Sequence, residues 1–199
     1  PDRPVLLLAS SHGGEEDLLL AAWARVCREL APLRPALLLA PRHPERAAEV
    51  LARVRAQGLS VQRWSRIDPA TAGAGPSPDV LVVDVLGLMG TWIAAADLVV
   101  MGGSFGPAGR SIGGHNPLEP VRGGRPVVCG PDMANFAELS EQLEVAGWLR
   151  RFASLDEALE GVIAWLRHPP QPAALPPLQG PSDQIAATVL ERLRALEAG

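Results

Sequence analysis

A chain of 199 residues with 47% hydrophobic residues holds enough apolar material for one buried core, so a single domain is expected. The formal net charge of -4, with all 18 basic residues arginine, argues against a nucleic-acid partner. No apolar run reaches the roughly 18 residues of a membrane span, and the start at Pro1, directly before a strand, predicts a soluble fragment of a longer protein.

In chain order, Val5–Ala9 is a short apolar run without polar alternation, as in a strand covered on both faces. Glu15–Leu30 follows as a helix with acidic residues in its first turn. Ala36–Ala40 is a second strand, Pro44–Gln57 a second helix closed by Gly58, and Val61–Trp64 a third strand. Residues 69–78 form a Pro/Gly loop. Val80–Asp84 is a strand, followed by a helix to Ala96 and a strand at Leu98–Met101. Gly102–His115 contains six glycines and no regular period, so it is predicted as a loop. Pro117–Gly123 is a short helix, Pro126–Cys129 a strand and Asn135–Ala146 a helix. Ser154–Arg167 is an amphipathic helix, with Ser154 as N-cap and Glu157 completing a capping box.

The alternation predicts an α/β fold: a Rossmann-like parallel sheet with helices on both faces. Residues 1–167 form that domain, 168–181 a Pro-rich connector and 182–199 a C-terminal helix. Cys27 and Cys129 sit in apolar segments and read as reduced core residues. The four histidines are scattered without metal-ligand spacing, so neither a metal nor a cofactor is expected.

In such sheets ligands bind beyond the carboxyl ends of the strands, and the loops there carry the unusual residues. Asn116 can cap a helix whose first residue is Pro117, so Asn116–Pro117–Leu118–Glu119 presents a helix start to the glycine loop. A phosphate can approach there, and Glu119 can accept ribose hydroxyls; equally, the segment is an ordinary helix start. In Pro41–Arg42–His43–Pro44, Arg42 suits a phosphate or is simply solvated. Ser11, His12, Ser104 and His115 are additional candidate contacts. Glu15 and Glu16 are expected as helix N-terminal charges, because adjacent helical residues diverge too far to act as a catalytic pair. Gly87–Leu88–Met89 offers close backbone approach and an apolar wall for a flat base, or a plain turn with core side chains. Asp132 and Asn135 are expected to cap the following helix.

The segments SSHGGEE (10–16), PRHPER (41–46), VMGGSF (100–105), GGHNPLEP (113–120) and GP…NF (130–136) resemble those of 3-deoxy-D-manno-octulosonic acid (Kdo) transferases in order and spacing. The resemblance runs from about Val5 to about Arg167 and concerns the C-terminal domain of that family. It implies one half of a GT-B glycosyltransferase, binding CMP-Kdo through Pro41 and Arg42, through Gly87, Leu88 and Met89, and through Asn116, Pro117, Leu118 and Glu119. It also implies no catalytic residue in this chain, because the family's proton acceptor is a glutamate of the N-terminal domain. The lipid A precursor and the cytoplasmic face of the bacterial inner membrane would be met through that missing half. Two departures are visible: Gly13 replaces a family glutamate, and Gly87–Leu88–Met89 stands where the family usually reads G-E-L. The alternatives are a UDP-sugar transferase or epimerase domain of the same architecture, and a non-catalytic GT-B-like binding module.

Overall fold

The computed structural model describes residues 3–68, 70, 77–106 and 112–172. Seven strands form one parallel sheet: β1 (Val5–Ser11), β2 (Ala36–Pro41), β3 (Val61–Arg63), β4 (Val80–Val82), β5 (Leu98–Met101), β6 (Val127–Cys129) and β7 (Leu149–Arg151). Their spatial order is β3-β4-β2-β1-β5-β6-β7, as the alternating pattern predicts for a Rossmann-like sheet. The chain leaves β1 towards β2 on one side and later returns to place β5 on the other. The topological switch point therefore lies between β1 and β5.

Alternate residues of the same strand serve opposite layers, which explains its continuous apolar run. Leu6 and Leu8 of β1 join the core beneath α1 (Glu15–Glu29), α2 (Ala47–Ala56) and α6 (Leu155–Arg167). Leu7 and Ala9 point the other way, towards α3 (Met89–Ala95), α4 (Leu118–Arg122) and α5 (Ala137–Val145). Trp23, Leu37 and Leu39 are fully buried in the first layer. Cys129 is buried in the second as a free thiol, its pKa pushed up to about 12 by burial.

The predicted elements are present with shifted ends. Pro44–Arg46 is a separate 3₁₀ turn before α2, and Ala134–Phe136 is another before α5, so neither helix begins where its sequence pattern does. β7 has no counterpart in the sequence reading. It is a three-residue edge strand with only Leu149 buried, and its two arginines hide it from any search for apolar runs. Arg151 is held by Glu144, with Nε 2.7 Å from Oε2, and Arg150 lies 5.0 Å over the Phe152 ring. The predicted helix within 182–199, the connector beyond residue 172 and much of the 69–78 loop lie outside the described residues.

α6 starts as predicted. Ser154 Oγ accepts the Glu157 N–H at 3.2 Å, while the Glu157 carboxylate accepts from Ala153 N, one residue earlier than an ideal capping box. Ser154→Ala removes the only side-chain cap on the helix and is expected to cost about 1 kcal/mol, a melting shift of roughly 2–4 °C measurable by circular dichroism.

Candidate functional site

β1 ends in a bulge: its register against β2 shifts between Ala9 and Ser11, with Ser10 in the left-handed region at φ 54. The kink sends the Ser11 side chain inward, where its Oγ donates to Glu16 Oε1 at 2.7 Å. Arg46 completes that contact through Nη1 (2.9 Å to Oε1) and Nη2 (3.3 Å to Oε2), so the turn after β2 is pinned to the start of α1.

Glu15 does more than favour the helix dipole. At 5% exposure, its Oε2 accepts from His12 N and Gly103 N, both at 2.9 Å, and its Oε1 from Ser104 N at 3.2 Å and Phe105 N at 3.1 Å. One carboxylate thereby gathers the loops after β1 and β5 at the switch point. Glu15 and Glu16 stand in the first turn of α1 as expected, and both are also buried braces.

The expected ligand contacts from the Ser11 and Ser104 side chains are corrected. Both residues are fully buried, and Ser104 Oγ donates to Met101 O at 2.6 Å while accepting from Gly130 N at 2.8 Å. Asn135, expected to cap a helix, instead pins the glycine loop, donating from Nδ2 to Ile112 O at 2.6 Å and from its backbone to Gly113 O at 3.0 Å. Asp132 does cap locally, its Oδ1 accepting from Ala134 N at 3.2 Å.

Three of the four histidines converge here from separate loops. The His12 and His115 rings lie edge to edge in nearly one plane, 10° apart with centroids 5.3 Å apart, and their Nε2 atoms are 3.0 Å from each other. His43 meets His12 edge-on at 6.1 Å. Burial, reinforced by His12 and Arg42, lowers the His115 pKa to about 4; burial also lowers that of His12.

Beside this cluster lies a pocket of about 210 Å³ lined by residues that include Pro41, Arg42, Gly87, Met89, Trp92 and Glu119. Arg42 is exposed and its side chain makes no hydrogen bond or ion pair among the described residues, whereas Arg46, Arg53, Arg63 and Arg151 are all paired with carboxylates. The rest of the lining is largely apolar, with Val83, Val85, Leu86, Gly87, Met89 and Trp92. Trp64 packs edge-on against Trp92 at 4.6 Å and fixes that ring. Asp84, next to this wall, is not free for chemistry. Burial alone would raise its pKa, but hydrogen bonds from Ser65 and Arg63 hold it below its ordinary value.

The predicted residues thus divide. Pro41, Arg42, Gly87, Met89 and Glu119 line one pocket, although they come from three distant loops. Leu88, Asn116, Pro117 and Leu118 do not line it. Asn116 Oδ1 accepts from Leu118 N at 3.0 Å, but α4 begins at Leu118 with Pro117 as its N-cap, one residue later than expected, and Leu118 is a core residue at 2% exposure. α4 has only five residues, so little macrodipole reaches its start and the charge on Arg42 is the larger attraction for an anion. The sequence reading missed Trp92 and the valines of the apolar wall, whose composition is that of any core.

No family model matches the chain. A 3-deoxy-D-manno-octulosonic acid transferase of Bordetella pertussis is 36% identical over 174 residues, covering 87% of this chain and 39% of that protein. One from Haemophilus influenzae is 33% identical over 164 residues, covering 81% and 36%. The crystal structure of the C-terminal CMP-Kdo binding domain of WaaA from Acinetobacter baumannii matches with a TM-score of 0.69 and 30% identity, over 83% of this chain and 80% of that one. The chain belongs to the Kdo transferase family. It spans about two-fifths of the curated Kdo transferases named above and most of the solved C-terminal domain.

The family's frame clarifies the two departures. Leu88 is 40% exposed and outside the pocket wall, so its replacement of the usual Kdo transferase glutamate removes no group from that wall. A side chain at Gly13 would begin 3.7 Å from Arg46 Nη2. An acid there would add to the Glu16–Arg46 brace, which this chain completes without it.

Proposed function

We propose that this pocket binds CMP-Kdo, and that the chain is the donor half of an enzyme moving Kdo onto a lipid A precursor in lipopolysaccharide biosynthesis. The observation that carries the reading is the meeting of an unpaired arginine, an exposed carboxylate and an apolar wall around one cavity. Arg42 suits the phosphate, as a charge-assisted donor that strengthens its hold as negative charge develops on departing CMP. Glu119 suits the ribose hydroxyls, and the wall of Val85, Leu86, Gly87 and Met89 suits the flat face of the base. At about 210 Å³ the pocket is smaller than the roughly 300–1,000 Å³ of most ligand sites, so it takes in one part of a nucleotide sugar.

The acceptor hydroxyl must lose a proton as it attacks the sugar, and no residue of this pocket is placed in that role. The base is assigned to the N-terminal domain of the full transferase, together with the acceptor site and attachment to the cytoplasmic face of the inner membrane. No helix among the described residues is long and apolar enough to cross a membrane.

Calorimetric titration with CMP and with UDP tests the reading. CMP is expected to bind more tightly than UDP, and Arg42→Ala to weaken CMP by roughly 10–100-fold, the loss of a charged hydrogen-bond donor worth about 1.5–3 kcal/mol. Preference for UDP, or an Arg42→Ala variant that binds CMP normally, rejects the assignment.

A further inference from the structure

The His12–His115 contact joins residues 103 positions apart, one after β1 and the other immediately before α4. Two imidazoles joined Nε2 to Nε2 at 3.0 Å must hold one proton between them, since one nitrogen donates and the other accepts. A structural pair needs nothing further. This pair, however, has Arg42 acting on it from the pocket and His43 against the His12 ring. Ser10, two residues before His12, lines that pocket, and Arg42 N donates to Ser11 O at 3.0 Å, next to His12.

We propose that His12 and His115 form a shared-proton subsite for an anionic oxygen of the donor, taking up one further proton from solvent when that oxygen settles beside Arg42. The inference rests on the reading of the neighbouring pocket as the CMP-Kdo site.

The groups facing the pair explain why the proton arrives with the ligand and not before. Burial, then His12 and then Arg42 oppose protonation of His115, and burial, His43 and Arg46 oppose that of His12. Glu15 and Glu16 of α1 favour protonation of His12, but Glu15 is occupied by four backbone amides and Glu16 by Arg46 and Ser11. With the pocket empty, His115 titrates at about 4 and the pair is neutral at pH 7. An anion beside Arg42 offsets that arginine's opposing charge and adds an attraction of its own, raising the pKa of the pair in the bound state. The sign follows: affinity rises as pH falls through the bound-state pKa and levels off below the free-state value. Once charged, the pair remains hydrogen-bonded and meets the donor with a cation instead of a neutral ring.

The donor offers two oxyanions, the phosphate of the nucleotide and the carboxylate of the sugar. Calorimetry of the 199-residue chain with CMP, with free Kdo and with cytidine separates them, each run at pH 6 in two buffers of different ionisation heat. CMP has a second ionisation near pH 6 of its own, so the readout is the difference between wild type and His115→Gln. Wild type is expected to take up a larger fraction of a proton with CMP, and none with cytidine. Its CMP affinity should gain about tenfold more than the variant's between pH 7.5 and pH 5, the gain expected if binding raises the pair from about 4 to roughly 6. His12→Gln should match His115→Gln, because either change removes the shared proton, and this guards against a local effect of one substitution. Excess uptake with Kdo alone assigns the subsite to the carboxylate. CMP or Kdo binding with identical proton uptake in all three proteins overturns the inference and leaves the pocket reading intact. Failure of wild type to bind CMP or Kdo overturns both.

Discussion

Glu15→Gln should lower the melting temperature by roughly 6–12 °C, although it changes one atom of a residue that is not part of the pocket lining. The carboxylate accepts four backbone N–H groups through two oxygens, at 2.9 to 3.2 Å, in a site 5% exposed. Glutamine keeps one acceptor oxygen and places an NH₂ where the other stood. Whichever way the amide turns, two main-chain donors then face a donor. Buried donors left without an acceptor cost about 1–3 kcal/mol each. A total near 3 kcal/mol gives the stated shift for a chain of this size. The donors belong to residues 12, 103, 104 and 105, so the loops after β1 and β5 should loosen together and CMP affinity should fall with stability. Scanning calorimetry and urea midpoints measure the first effect, and CMP titration the second. A Glu15→Gln protein that melts within about 2 °C of wild type and binds CMP normally has no such clamp.

That clamp marks the boundary of what the sequence allowed to be read. Continuous apolar runs such as Leu6–Ala9 and Leu37–Ala40 announced a doubly covered parallel sheet, because burial on both faces leaves no polar alternation. Pro41, Arg42, Gly87, Met89 and Glu119 were picked out because loops beyond strand ends are where such sheets bind, and the fold brings them to one pocket. The partners of buried polar groups were not legible. Glu15 is drawn to amides 88 to 90 positions away, and no local periodicity encodes that separation. Nor did anything mark His12 and His115 as a pair, since their meeting depends on β1 and β5 being sheet neighbours. Trp92 was overlooked for the opposite reason: a tryptophan on an apolar helix face reads as core, and at 5% exposure it is core, yet its edge forms the pocket wall. β7 escaped because two of its three residues are arginine.

Gly130→Ala is expected to be at least as damaging as the Glu15 substitution, through steric contact and not through charge. Gly130 follows β6 where the backbone of the neighbouring loop after β5 comes closest. A Cβ there would lie 2.5 Å from the Ser104 carbonyl carbon and 2.9 Å from Phe105 N, and closer still to the Ser104 carbonyl oxygen. All three are main-chain atoms, so no side chain can rotate away. The crowded loop is also tied down from other directions: Gly130 N donates to Ser104 Oγ, and Asp132 N donates to Ser104 O at 3.3 Å. Overpacking usually costs about 1–3 kcal/mol where neighbours can adjust. Here the ends of β5 and β6 must separate, so about 3 kcal/mol or more is expected, a fall in melting temperature of roughly 6 °C upward. Displacing that turn also moves Asn135, which holds Ile112 and Gly113 just ahead of His115, so CMP binding should weaken in whatever protein still folds. Gly124→Ala separates this effect from the ordinary cost of replacing glycine. Gly124 has φ 73 with no atom within 4 Å of an added Cβ, so it reports backbone strain alone, about 1–2 kcal/mol. If the two variants melt together in parallel scans, the close approach of the two loops is not what Gly130 provides.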